Sequence, residues 1–346
     1  MNKKLLLLLM AIFCFIANNA SAQEIIKSNE DSGKGFYFSI GGGYSLGTAK
    51  TNGGGNGLMP TQNVSTTSTT TITKPDGSYK STTKSSTTKK NAAYSLGEGT
   101  NISMNFGYML SKNVGIELGA NYLMGTEANI EEKTSNNTIH KYSVKIGSVT
   151  HLGGGSVRNI NKKEYGMTRN SFSLIPAIKL VAPVGNKTSL YSRFGVVVPI
   201  MDNVDYEYDI YNKSSSTRPG NESESSSNEN KKIEFKSYFN LGYTAALGIN
   251  YKLGKATSFF AEVNLVSSSF EVKESEITEW TSSSNGKSKK DLLEGKNTKD
   301  IKTSYEKEYV VTNNTPSQDK NKPTKDVSFS LPASSLGVTI GFAFKF

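Results

Sequence analysis

Few side chains in this chain could do catalytic chemistry. Its two histidines, His140 and His151, are the residues that titrate nearest neutral pH and the usual source of a general base. Neither stands in a metal-ligating or nucleophile-activating spacing, and no Cys-x-x-Cys or phosphate-cradling glycine loop occurs. The glycine runs Gly53-Gly54-Gly55 and Gly153-Gly154-Gly155 read as loop tips. The one cysteine, Cys14, lies in an apolar leader, so a mature chain would have no thiol for a disulfide or a Cys-ligated metal. No catalytic residue and no cofactor are expected, and the chain is read as not an enzyme.

Two other groups of residues are chemically distinctive. In DNVDYEYDIY, Asp205, Glu207 and Asp209 fall on one face of an extended segment, a weak calcium candidate that lacks the glycine of a calcium loop. No metal site is assigned to them. Glu117, Lys179, Arg193 and Glu262 each stand on a face dominated by Gly, Ser, Thr and Asn. They balance in charge. The expectation is a single ionic layer inside a narrow lumen, with Lys179 reaching Glu117 and Arg193 beside it, because an isolated charge there would be costly. That layer is either a structural plug or a gate whose pairs exchange.

The elements that must position these side chains are strands. Phe36, Phe38, Ile40, Tyr44 and Leu46 alternate with small or polar residues, and the same period recurs in 101–110, 114–124, 172–182, 190–200, 239–251, 259–265 and 335–346. These make eight segments of about ten residues, the length of a tilted strand crossing a bilayer. Three connections are tight. The other four, approximately 47–98, 125–168, 201–234 and 270–331, are long, polar and rich in Ser, Thr, Asn and Lys. Their tips at 60–92, 212–232 and 281–325 read as a hydrated brush, with β-prone hairpin arms beneath. The fold expected is all-β: an eight-stranded antiparallel up-and-down transmembrane barrel, residues 35–346, with long extracellular loops.

The ends of the chain agree with export. Residues 1–22 have a basic start, an apolar run and Ala20-Ser21-Ala22, the pattern of a signal peptide cleaved after Ala22; 23–34 is a polar leader. The apolar run is shorter than the roughly 18 residues of a spanning helix. The net charge of +10 fits an anionic surface, but no run combines arginine with stacking aromatics, so nucleic acid is not an expected partner.

The segments FYFSIGGGYSLG, NVGIELGANYL, SFSLIPAIKL, LYSRFGVVVPI and the closing GVTIGFAFKF resemble the eight-stranded outer-membrane β-barrel family that includes the OmpA transmembrane domain and OmpX. The likeness covers the strands and not the loops. It implies a place in a Gram-negative outer membrane, contact with its lipid and lipopolysaccharide, and Phe346 as the signal read by the barrel-assembly machinery. Some eight-stranded barrels modify lipid A through a His with a Ser two residues on, a pair absent at both histidines here. A structural or adhesion-type role through the loops, with a host or cell-surface ligand and a monomeric barrel, is the expectation; a small gated pore, or a surface lipid-modifying enzyme, is the alternative.

Overall fold

The computed structural model describes residues 34–48, 51–52, 62–90, 93–146, 148–287, 290–308 and 319–346. The signal peptide, its cleavage point at Ala22 and nearly all of the polar leader lie outside the described residues. Among the described residues nineteen strands follow in order. They are β1 (Gly35–Gly47), β2 (Thr51–Asn52), β3 (Gln62–Thr73), β4 (Tyr79–Lys90), β5 (Ala93–Tyr94), β6 (Gly99–Met109), β7 (Val114–Gly125), β8 (Ala128–Ile146), β9 (Val149–Pro183) and β10 (Thr188–Arg218). Then come β11 (Asn221–Ser237), β12 (Gly242–Lys252), β13 (Thr257–Ser267), β14 (Ser269–Ser284), β15 (Lys290–Asp291), the short helix α1 (Thr298–Ile301), β16 (Lys302–Glu306), β17 (Thr324–Val327), β18 (Ser330–Pro332) and β19 (Ser335–Lys345).

The expected eight-stranded, all-antiparallel barrel with loops is corrected by the sheet itself. Among the described residues seventeen strands belong to one sheet, and only β2 and β5 pair apart from it. Two pairings, β3 with β8 and β16 with β17, are parallel. The segments expected as loops and as a brush are largely strand: β9 runs for 35 residues and β10 for 31. At about 3.3 Å per residue, some twenty residues of each extend roughly 65 Å beyond the ten or so needed to cross a bilayer.

The sheet closes on itself through β1, β6, β7, β9, β10, β12, β13 and β19, which returns to β1 with Tyr37 opposite Lys345 and Gly47 opposite Ser335. Polarity in this closed part is the reverse of a soluble protein's. Ile40, Phe106, Leu118, Ile178, Phe194, Leu247, Val263 and Ile340, one from each strand of the circuit, are exposed on the outside. Ser39, Asn105, Glu117, Lys179, Glu262 and Thr339 are buried inside.

Beyond the closed part, polarity returns to the ordinary sense. A second core gathers Tyr94, Leu96, Ile130, Tyr165, Met167, Val204, Tyr206, Phe235, Phe270, Val272, Tyr305, Leu331 and Ala333. On β10 the change of face follows a bulge between Pro199 and Met201. One extra residue reverses the parity of the strand. Tyr191 and Val197 are buried before the bulge, and Val204 and Tyr206 after it. The rest of the crown is a polar sheet, with β9 paired to β10 as far as Ser156 opposite Thr217. At its margin the hairpin of β3 and β4 carries hydroxyl pairs such as Thr69–Thr83 and Ser65–Thr87.

Candidate functional site: a closed ionic lumen

The structure brings Glu117, Lys179, Arg193 and Glu262 together inside the closed sheet. Register explains the meeting, since Lys179 of β9 lies opposite both Arg193 of β10 and Gly115 of β7, two residues from Glu117. The Lys179 ammonium donates to Glu117 Oε1 at 3.1 Å, and Arg193 Nη2 donates to Glu262 Oε1 at 2.7 Å. Arg193 Nη1 lies 3.6 Å from Glu117 Oε2, so one guanidinium links both acids. The layer is neutral, and all four charged heads are withdrawn from solvent.

Three further members escape a search confined to charges. Tyr37 donates to Glu117 Oε1 at 2.6 Å and Tyr191 to Glu262 Oε2 at 2.8 Å. Asn105 Oδ1 accepts from Arg193 Nη1 at 3.0 Å. The Lys179 ammonium lies 4.6 Å from the centroid of each tyrosine ring, a double cation–π contact. Each ring lies over a glycine on the next strand, Tyr37 on Gly107 and Tyr191 on Gly248, where a Cβ would collide with the ring. A visible signal existed: each tyrosine is an aromatic ring on the inward face of its strand, opposite a glycine.

A second barrier lies toward the crown. Arg169 grips Asp202 with two parallel bonds, Nε to Oδ1 at 2.6 Å and Nη2 to Oδ2 at 3.0 Å, both side chains being buried. This fork is the strong geometry of an arginine–carboxylate pair. Two residues farther along each strand stand Met167 and Val204, both fully buried. Between the ionic layer and this fork remains a cavity of about 70 Å³ lined by Ser45, Asn101, Ser171 and Thr339 among others. Arg169 and Asp202 were not among the residues anticipated, because they lie beyond the alternating segments.

Asp205, Glu207 and Asp209 project from β10 on the face opposite Val204 and Tyr206. The Asn230 amide nitrogen donates to both Glu207 Oε1 and Asp209 Oδ1 at 2.8 Å, filling the position between them with a hydrogen-bond donor. Among the described residues no group of His, Cys, Asp and Glu is arranged to hold a metal ion. Phe346 follows β19, with its backbone N–H bonded to the Phe36 carbonyl at 2.9 Å.

No family model matches the chain, and no curated protein does. Among solved structures, an anion-selective porin from Comamonas acidovorans is 7% identical with a TM-score of 0.13, covering 90% of this chain and 100% of that one. A FadL homologue from Pseudomonas aeruginosa is 8% identical with a TM-score of 0.14, covering 90% of this chain and 89% of its own.

Proposed function

We propose that this chain is an outer-membrane β-barrel protein whose lumen is shut and whose work is done by the rigid crown, in a surface-interaction role of the adhesion type. The closed sheet supports the membrane reading because its apolar face points outward in a continuous belt, as hydrocarbon contact requires. The observation that carries the role is the double closure of the lumen, by the Glu117–Lys179–Arg193–Glu262 layer and by the Arg169–Asp202 fork, beneath a packed apolar core. Passage of solute through such an interior would require separating buried ion pairs at two levels.

The crown offers one long edge for a partner. β4 pairs with β3, and no pairing occupies its other side among the described residues. It carries Lys80, Lys84 and Lys89 and no acid. Lysines on an edge discourage self-pairing, while the free backbone groups can take an extended segment of acidic character. Two measurements test the proposal. The refolded protein in a planar bilayer should be electrically silent, and E117A/R193A should be silent too because the fork still bars the lumen. Bacteria displaying the chain should bind host or bacterial surfaces, and replacing the arms 131–164 and 207–232 by short turns should abolish that binding. Steady conductance of the wild type, or unchanged binding after shortening, overturns the reading.

A further inference from the structure

At the tight-turn end of the closed sheet lies a cavity of about 350 Å³ on the side of the ionic layer away from the crown. Its inner wall includes Lys179 and Tyr37, and Lys112, Lys252 and Lys345 come from three different places on the rim. Thr188, Asn250 and Ser258 add neutral polar groups, and no acidic side chain lines it. The two acids of the ionic layer, Glu117 and Glu262, are already engaged by Lys179, Arg193 and the two tyrosine hydroxyls. The ammonium groups of Lys112, Lys252 and Lys345 enter no ion pair among the described residues.

The charges therefore do not cancel in this vestibule as they do in the layer above it. Lys179, whose charge is balanced within the layer, stands at its inner end, and three cations without an ion pair stand at its mouth. A concave site with walls of low dielectric and one sign of charge concentrates the field within it. Compact ammonium groups on flexible stems suit a tetrahedral oxyanion approached from several sides. We propose that the vestibule binds a phosphate-bearing anion, either a soluble one or the headgroup of an anionic lipid entering from the adjacent leaflet. The site lies at the end opposite the crown and is independent of the surface-interaction role.

Calorimetric titration of the refolded full chain with pyrophosphate, in phosphate-free non-ionic detergent at low salt, tests the proposal. Binding of one equivalent is expected, weakened at least tenfold in K112Q/K252Q/K345Q and weakened further as salt rises. K187Q/K255Q removes two rim lysines that do not line the cavity and should leave affinity within about twofold. Retained heat-modifiable migration on gels establishes that each variant is folded. Repeating the titration in nanodiscs distinguishes the sources: phosphatidylglycerol that blocks pyrophosphate, where phosphatidylcholine does not, identifies a lipid headgroup, and indifference to lipid identifies a soluble anion. Absence of binding at millimolar pyrophosphate, or equal losses in the two variants, overturns the proposal.

Discussion

The lumen and the crown are two interiors of one sheet, built on opposite solutions. In the lumen the strands turn Ser, Asn, Tyr and paired charges inward and leave Leu, Ile and Phe outside. In the crown the same strands β9 and β10 turn Tyr165, Met167, Val204 and Tyr206 inward. The first interior is held by directed bonds among a few groups, and its losses are specific: one missing partner strands a buried charge. The second is held by apolar burial shared among many segments, and its losses scale with volume removed. Arg169 and Asp202 mark the boundary between them.

The largest effect should come from breaking the lumen set. Glu117→Leu leaves Lys179, Arg193 and Tyr37 without their shared acceptor and should cost about 3–5 kcal/mol. The unfolding midpoint in denaturant, followed by heat-modifiable migration, should fall accordingly; an unchanged midpoint would show that the layer contributes little to the barrel. Phe270→Ala in the crown core should cost about 3–5 kcal/mol locally, at the lower end if the surroundings close in. Limited proteolysis should then cut the crown while the closed sheet keeps its gel shift. Loss of both together would mean that the two interiors unfold as one unit.

Alkali should separate the regions in another way. Burial raises the Tyr94 phenol to about 12, and Tyr165 and Tyr206 are raised as well, with burial the largest cause. Ionisation is thus easier in the unfolded crown, near the ordinary phenol value of about 10. The stability held by these neutral phenols is complete below that value and declines as pH rises through about 12. Absorbance at the phenolate band should show late, cooperative titration in the wild type, and Phe270→Ala should bring it to lower pH. A smaller effect is expected from Gly107→Ala, which pushes on the Tyr37 ring and should cost about 1–3 kcal/mol by overpacking. The smallest is Thr69→Val on the exposed hairpin, where one hydroxyl pair with Thr83 should matter by less than about 1 kcal/mol in the same denaturant midpoint.

Legibility follows the same division. Where one face meets an apolar surround, as in Ile116, Leu118 and Ala120 with Gly115, Glu117 and Gly119 between, the period of two is plain in the chain. From 149 to 163 of β9, which includes Gly153, Gly154 and Gly155, it is absent. Polar residues and glycines dominate there, Val149, Leu152, Val157 and Ile160 keep no period of two, and what makes the segment a strand is its long pairing with β8 and β10. The strand count and the parallel pairing of β3 with β8 were hidden for that reason, and the single-residue bulge at Ile200 hid the change of face that puts Val204 inside.

By itself, then, the amino-acid sequence determined the alternating segments, their tight turns and the four charges on the small-residue faces, because these depend on neighbours two residues apart. Only the tertiary structure decided that the remaining segments are strands of the same sheet, that Tyr37, Tyr191 and Asn105 complete the layer, and that a core spread from Tyr94 to Ala333 caps it. Those features arise from contacts between residues tens to hundreds of positions apart, each contributing one or two side chains. No local period records them.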